Sequence, residues 1–254
     1  MQATAVSPYL GELIGTMILI IFGGGAVANV VLHKSKGYAS GWIVIATGWG
    51  LGVAIAAYSV GRISGAHLNP ALTLALACIG SFNWSLVPGY IAAQVAGAFL
   101  GGVIVWLCYL PHWRETEDPA SKLAVFSTIP AIRHTLGNLL SEIIGTAVLV
   151  FGILAIGANA QELKTPAGLD LSLVFSKGLS FLLVGFLVWA IGLALGGPTG
   201  YAINPARDFG PRLAHALLPI AGKGKSDWGY CWIPIIGPII GGVLAAFVFK
   251  ALRF

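Results

Sequence analysis

The chain has 254 residues, of which 57% are hydrophobic and only 9% are charged. An ordinary soluble domain carries about 25% charged residues, so this composition excludes a typical water-soluble protein. The formal net charge is +5 at pH 7 and the basic residues are dispersed, which argues against a nucleic-acid partner.

Six apolar stretches are long enough to cross a bilayer, which takes roughly 20 residues per helix. In chain order they cover residues 8–32, 41–60, 84–110, 137–158, 172–195 and 230–250. The first stretch lacks the basic flank and cleavage site of a signal peptide, so we interpret it as the first spanning helix. The composition predicts an all-α, multi-pass integral membrane protein with one domain, residues 1–254.

Two further apolar segments, at about 69–79 and 204–217, are too short to span and are predicted to be re-entrant. They begin with the same tripeptide, Asn69-Pro70-Ala71 and Asn204-Pro205-Ala206. Asn is a strong N-cap, and Pro is tolerated in the first helical turn, so each tripeptide predicts a helix start. The preceding stretches, 62–68 and 196–203, are predicted to be non-helical, which is tolerated at membrane depth only inside protein or along a water-filled cavity.

The chain contains an internal repeat. Residues 12–20 read ELIGTMILI and residues 142–150 read EIIGTAVLV, while residues 64–71 and 199–206 read SGAHLNPA and TGYAINPA. Each half holds three spans, and an odd number means that the second half enters the membrane from the opposite side. The halves, approximately 1–110 and 137–254, are therefore predicted to be inverted repeats whose short helices meet tip to tip near mid-bilayer.

Two Asn-Pro-Ala motifs on inverted three-span halves resemble the aquaporin superfamily of major intrinsic proteins, and the resemblance covers the whole chain. It implies six transmembrane helices, two re-entrant half-helices, a homotetramer with one pore per subunit, and no cofactor. Each half-helix N-terminus carries roughly +0.5 e, so two facing tips repel cations, including hydronium. The side-chain amides of Asn69 and Asn204 are expected to donate hydrogen bonds to solutes in the pore.

The extended stretches before the two motifs are expected to present backbone carbonyls to the pore. A neutral polyol can exchange its hydration for such acceptors, as ions do in channels. The residues predicted to supply these carbonyl acceptors are Gly65, Ala66, His67, Leu68, Gly200, Tyr201 and Ala202.

Arg207 directly follows the second motif, and an Arg at membrane depth is a functional hypothesis because its burial is costly. By the family resemblance Trp49, Gly192, Tyr201 and Arg207 match the residues of the narrowest constriction. Gly192 is expected to leave room there, Trp49 and Tyr201 to form an apolar corner, and Arg207 to bind hydroxyls opposite. This combination resembles the glycerol-conducting form of the family.

Further positions match the glycerol type by the same resemblance, namely Asp208, Arg212, Pro234 and Ile235. Two positions depart from it. Ile129 stands where an aromatic residue is usual, and Tyr201 replaces the more usual Phe. These departures bear on the choice of solute rather than on the fold.

Glu12 and Glu142 are carboxylates inside predicted spans, at repeat-related positions. A proton-coupled transporter would use such groups as relays. We favour a supporting role, in which each carboxylate accepts backbone N–H bonds from a re-entrant loop.

The sequence thus predicts a passive channel for glycerol and other small neutral polyols, also permeable to water and closed to ions and protons. A water-selective aquaporin is the alternative, disfavoured by Gly192 and Asp208 and weakly supported by Tyr201. A coupled secondary transporter would depend on the two glutamates, and neither a nucleophile–base pair nor a metal-ligand cluster indicates an enzyme.

We expect a prokaryotic plasma membrane location with both termini cytoplasmic. Lys and Arg are more numerous in the connections on the side opposite the termini, however, so charge bias alone does not fix the orientation.

Overall fold

The computed structural model describes residues 6–163 and 168–252, so the outermost ends of the predicted domain and repeats, 1–5 and 253–254, lie outside the described residues. The first half contains α1 (Pro8–Val31), α2 (Trp42–Ser64), α3 (Pro70–Cys78) and α4 (Val87–Cys108). The second half contains α5 (Thr135–Gln161), α6 (Ser180–Leu195), α7 (Pro205–Leu217) and α8 (Ile233–Ala251).

Shorter helical turns extend or connect these helices. A 3₁₀ turn, Trp84–Leu86, leads into α4, and a π-helical turn, Phe175–Leu179, preceded by Ser172–Val174, leads into α6. The connection between the halves carries the short helices His112–Glu115 and Pro119–Ala124. The described residues therefore form an all-α protein, as predicted.

Six helical segments in the described part of the chain are long and apolar enough to cross a membrane. They are Pro8–Val31, Trp42–Ser64, Trp84–Cys108, Thr135–Gln161, Ser172–Leu195 and Ile233–Ala251. This confirms the six predicted spans to within a few residues at each end. The two re-entrant segments are α3 and α7, of 9 and 13 residues.

One predicted boundary was wrong. Residues 62–64 were expected to be non-helical, but α2 continues to Ser64. Gly65 ends the helix in the left-handed region, at φ 83°, while its N–H still donates to Gly61 O. A glycine at this position adopts that conformation without the Cβ penalty, which is why the helix can run this far and then turn sharply.

The packing of the two halves follows the repeat. Helix α1 packs on α2 and α4, and α5 packs correspondingly on α6 and α8. A Cβ at Gly97 of α4 would lie 2.2 Å from Leu13 O, and one at Gly241 of α8 would lie 2.1 Å from Ile143 O. These repeat-related glycines let the backbones approach closely, as small residues do in membrane helix packing.

Each half-helix packs on a helix of the opposite half, α3 on α8 and α7 on α4. The long helices α2 and α6 also pack against each other across the two halves. The exchange interlocks the halves and brings the N-terminal tips of α3 and α7 together in the interior.

Candidate functional site

The two half-helices begin with matching N-caps. Asn69 and Asn204 both have extended backbone, with φ −156° and −159°. Asn69 Oδ1 accepts from Ala71 N at 2.9 Å, and Asn204 Oδ1 accepts from Ala206 N at 3.0 Å and Arg207 N at 3.3 Å. Because the oxygens are used for capping, the amide nitrogens face away from their own helices.

The two asparagine amides bind the facing loops reciprocally. Asn69 Nδ2 donates to Ile203 O and Asn204 Nδ2 donates to Leu68 O, each at 2.8 Å. Each NH₂ group has two hydrogens, so one remains on each amide for another acceptor. The tips of α3 and α7 therefore lie side by side, joined by these two hydrogen bonds. The Leu68 carbonyl, which was predicted to face the pore as an acceptor, already accepts a hydrogen bond from the Asn204 amide.

The loops before the caps share a strained conformation. In the first loop Ala66 and Leu68 have φ 54° and 52°, and in the second Tyr201 and Ile203 have φ 39° and 43°. Non-glycine residues rarely adopt positive φ, and the cost persists only where the surroundings enforce it. The repetition of this strain at equivalent positions indicates that the conformation is required in both loops.

Glu12 enforces the first loop. Its Oε1 accepts from Ser64 Oγ at 2.6 Å and His67 N at 2.9 Å, and its Oε2 accepts from Leu68 N and Gln94 Nε2, both at 2.7 Å. The side chain is fully buried. Four donors around one buried carboxylate compensate for its desolvation.

Glu142 serves the second loop in the same way with fewer donors. Its Oε1 accepts from Thr199 Oγ1 at 2.7 Å and Ala202 N at 2.9 Å, while its Oε2 accepts from Ile203 N at 2.8 Å. Both glutamates thus contact the re-entrant loops as the sequence suggested.

A cavity of about 210 Å³ runs past the two tips. Its wall includes both capping asparagines and most of the two loops, together with apolar side chains from α1, α2, α3, α5 and α6. The loop residues in the wall are Gly65, Ala66, His67, Leu68, Tyr201, Ala202 and Ile203. Gly200, predicted to contribute a carbonyl, lies outside the wall, and Ile203, which the sequence interpretation omitted, lies within it.

Three residues predicted to form the constriction, Trp49, Tyr201 and Arg207, meet at this cavity. The Arg207 guanidinium carbon lies over the Trp49 ring, 4.1 Å from its centroid. Arg207 was expected opposite the aromatic corner, so that part of the prediction was wrong. The ring face attracts the cation and shields it, which explains why an otherwise costly buried Arg stacks there.

The constriction also holds polar atoms with no hydrogen-bond partner among the described residues, namely Trp49 Nε1, Tyr201 Oη and Arg207 Nη1. Buried polar groups are normally paired, so such a cluster beside a cavity calls for an explanation. These three donors can bind the hydroxyls of a small solute, while the apolar side chains of the cavity wall contact its carbon chain.

Gly192 does not leave open room in the constriction, contrary to the sequence interpretation. A Cβ at Gly192 would lie 2.7 Å from both Cζ and Oη of Tyr201, so the Tyr201 ring fills the space beside it. The physical reason is the larger side chain at 201, whose ring packs against the bare α6 backbone. Gly192 is accordingly not part of the cavity wall.

Asp208 and Arg212 form a buried ion pair one turn apart on α7, with Nε to Oδ1 at 2.7 Å. Asp208 Oδ2 also accepts from Thr128 N and Oγ1, and Arg212 donates to Ser226 O at 2.8 Å. The pair therefore ties α7 to the segment that precedes α5 and to the segment that precedes α8. Neither residue lines the cavity, so both lie behind the constriction.

Pro234 and Ile235 lie in the first turn of α8, where Pro lacks a donor that the helix does not need. Neither contributes to the cavity wall.

Several residues of the site were not predicted from the sequence. Gln94 and Thr199 complete the glutamate clusters, and Thr128 completes the Asp208 cluster. Gly23 on α1 makes room for Trp49, because a Cβ there would lie 2.1 Å from its ring. Only Thr199 carried a sequence signal, since it aligns with Ser64 in the repeat.

Comparisons with known proteins agree with this geometry. The family model described as "Major intrinsic protein" matches residues 1–249. The chain is 64% identical to a probable glycerol uptake facilitator protein of Thermotoga maritima, over 97% of this chain and 100% of that protein. It is 60% identical to the glycerol uptake facilitator protein of Bacillus subtilis, over 97% of this chain and 85% of that protein.

Among solved structures, the aquaglyceroporin from Plasmodium falciparum superposes with a TM-score of 0.81. The two chains are 28% identical, and the match covers 98% of this chain and 97% of the other.

Proposed function

The chain belongs to the major intrinsic protein family, and on that premise we propose that it is a passive membrane channel for glycerol and other small neutral polyols. We infer that water also passes and that ions and protons do not. The relatives named as glycerol uptake facilitators, at 64% and 60% identity over nearly the whole chain, support glycerol as the solute.

The observation that carries the proposal is the reciprocal pairing of the two capped tips beside the cavity. Each Asn amide keeps one hydrogen for a passing solute after donating to the facing loop. The positive ends of α3 and α7 converge at that point, which disfavours any cation that must give up its water there. A neutral hydroxyl accepts the amide hydrogen without this penalty.

The constriction supports a polyol over water alone. Apolar side chains make up much of the cavity wall, while Trp49 Nε1, Tyr201 Oη and Arg207 Nη1 have no partner in the described parts of the chain. Glycerol has the same two-sided character, with carbons on one side and hydroxyls on the other. A water-selective aquaporin remains the second candidate because Tyr201 adds a hydroxyl and fills the space beside Gly192.

A proton-coupled transporter is disfavoured by the surroundings of the two glutamates. Glu12 and Glu142 are buried, and both oxygens of each accept hydrogen bonds from the loops. A relay group must exchange protons with water or a partner, whereas these carboxylates hold backbone N–H groups. We propose accordingly that the protein is not an enzyme or a pump and needs no cofactor or metal.

We further propose a homotetramer with one pore per subunit in a prokaryotic plasma membrane, with both termini cytoplasmic. Helix α5 exposes a stripe of apolar side chains at four-residue spacing. Such a face is suited to contact with lipid or with a neighbouring subunit. The stripe consists of Leu136, Leu140, Ile144 and Val148. Native mass spectrometry tests the subunit number, and protease access to tagged termini in oriented vesicles tests the orientation.

Stopped-flow light scattering on proteoliposomes tests the function. Vesicles containing the protein are expected to shrink quickly in sucrose and to re-swell quickly in glycerol, at rates linear in the glycerol gradient. Fast water flux with glycerol flux at the level of empty vesicles would transfer the protein to the water-selective class. Saturable uptake that depends on a proton gradient would indicate a transporter.

A further inference from the structure

The Tyr201 ring lies in a groove on α6 made by two glycines one turn apart. A Cβ at Gly192 would lie 2.7 Å from Tyr201 Cζ, and a Cβ at Gly196 would lie 2.6 Å from Tyr201 Cδ1. Side chains larger than hydrogen at either position would displace the ring. The ring is thus held against the backbone at the end of α6, and its hydroxyl is buried at the constriction.

Trp42, the first residue of α2, closes this groove from the other side. Its ring makes an edge-to-face contact with that of Tyr201, with centroids 5.8 Å apart and an interplanar angle of 73°. Its Nε1 donates to Gly192 O at 2.8 Å. Gly192 O is one of the last carbonyls of α6, where a helix leaves acceptors without intrahelical donors.

The contacts of Trp42 differ from those of a tryptophan that merely rests at a membrane interface. Trp42 is 39% exposed and Trp232, at the start of α8, is 43% exposed, so both have one wet or lipid-facing side. Of these two indoles, only that of Trp42 donates a hydrogen bond to another described helix. A Cβ at Gly196 would also lie 2.7 Å from Trp42 Cζ2, so the indole and the Tyr201 ring both pack against Gly196.

We propose that Trp42 is a positioning residue that sets the opening of the constriction by clamping the Tyr201 ring into the Gly192–Gly196 groove. The backbone of Tyr201 is strained, at φ 39°, and relaxation there would move the ring into the cavity or away from it. Trp42 opposes this movement through an edge-to-face contact and through the hydrogen bond that ties α2 to α6. Trp42 touches no solute, since it lies outside the cavity wall.

The inference rests on the proposed function for its solute readout, and it defines how that function discriminates by size. With the ring clamped, a three-carbon polyol passes and a four-carbon polyol passes more slowly. Without the indole N–H, alternative ring positions become populated. Loss of one hydrogen bond of typical net strength permits a change of about fivefold in that population.

The first experiment measures the ratio of glycerol to erythritol permeability in proteoliposomes, a ratio that does not depend on the number of folded channels. Trp42→Phe keeps an aromatic ring and removes the N–H, and it is expected to shift the ratio by about fivefold. The matched control Trp232→Phe is expected to leave the ratio unchanged. If Trp42→Phe does not fold, Trp42→Met makes the same test with a flexible side chain.

A double-mutant cycle separates clamping of Tyr201 from a general structural role. In a Tyr201→Ala background no ring remains to be held, so Trp42→Phe should then leave the glycerol-to-erythritol ratio as it is in Tyr201→Ala alone. An equal shift in both backgrounds would overturn the proposal, as would a Trp42→Phe ratio equal to that of the unchanged protein.

A spectroscopic measurement keeps the proposal independent of the solute. With 3-fluorotyrosine at position 201, ¹⁹F NMR of the detergent-solubilised protein is expected to give one narrow resonance, which broadens or splits in Trp42→Phe and not in Trp232→Phe. Identical spectra in all three proteins would contradict the clamp even if glycerol passes. A broadened spectrum in Trp42→Phe would support the clamp even if the channel proves to conduct only water.

Discussion

The two re-entrant loops reach the same conformation with different supports. The first loop depends on a polar cluster before its cap, in which Glu12 accepts four hydrogen bonds and Gln94 Nε2 also donates to Thr73 Oγ1 at 3.0 Å. The second loop has three bonds to Glu142 and no described counterpart of Gln94. It has instead a longer half-helix carrying the buried Asp208–Arg212 pair.

This difference shows that the shared requirement is the loop geometry and not a particular set of contacts. In the first half, the hydrogen bonds that stabilise the strained backbone at Leu68 are those to Glu12, next to the loop. In the second half part of the support lies beyond the cap, where Asp208 fixes α7 relative to Thr128. Substitutions should therefore destabilise the two halves by different amounts, and they can be ranked.

The largest effect is expected for Asp208→Ala. It leaves Arg212 buried without its carboxylate, which costs about 3–5 kcal/mol when one partner of a buried pair is removed. The midpoint of thermal unfolding in detergent should fall sharply. The control is Glu115→Ala, which breaks the exposed pair with Lys34 and should change the midpoint little, because exposed pairs contribute little. Equal midpoints for the two variants would contradict the role given to Asp208.

The next effect separates the two glutamates. Glu142→Gln places an NH₂ group against the N–H or O–H donors of the second loop and should cost about 2–3 kcal/mol. Glu12→Gln should cost less, because the Gln94 amide can rotate and offer its Oε1, which has no partner within the described chain. Thermal unfolding of the two variants compares them directly, and a larger loss for Glu12→Gln would contradict the ranking.

Gln94→Leu should give a smaller loss that is confined to the first half. It removes donors to Glu12 and Thr73, at an expected cost of about 1–2 kcal/mol. Hydrogen exchange measured by mass spectrometry should rise in the peptide containing residues 64–69 and stay constant in the one containing 199–204. Equal increases in both peptides would show that the loops are supported together.

The smallest effect is expected at the end of α7. Lys223 Nζ donates to the carbonyls of His215, Ala216 and Leu218 at 2.6–2.7 Å, and it thereby caps the helix C-terminus. Lys223→Met should cost about 1 kcal/mol, since a cation near the last carbonyls stabilises a helix end by that order. Lys225→Met is the neighbouring control, and thermal unfolding that ranks the two variants in the reverse order would contradict the capping role.

The parts of the site that the sequence predicted are those governed by local chemistry. Asn is a strong N-cap and Pro fits the first helical turn, so the starts of α3 and α7 and their caps follow from the tripeptides and the apolar runs after them. The six spans follow from length and apolarity, and the roles of Glu12 and Glu142 follow from their repeat-related places beside the loops. The end of α2 was missed because Gly65, three residues beyond Arg62, and not the composition, sets it.

The missed features join residues far apart in the chain. Trp42 donates to Gly192 across 150 positions, and Thr128 donates to Asp208 across 80. Nothing local marks a tryptophan at a helix start as the donor to another helix. The filling of the space at Gly192 likewise depends on how the Tyr201 ring turns, which only the packing decides.

The charge sorting assigned to the facing tips of α3 and α7 is tested most directly with two solutes of the same size. Glycerol is compared with 2-amino-1,3-propanediol, in which an ammonium group replaces one hydroxyl, in the same proteoliposomes at a pH where the amine is protonated. The convergence of two positive helix ends beside Asn69 and Asn204 predicts fast glycerol flux and cation flux no greater than in empty vesicles. Equal fluxes of the two solutes would contradict it.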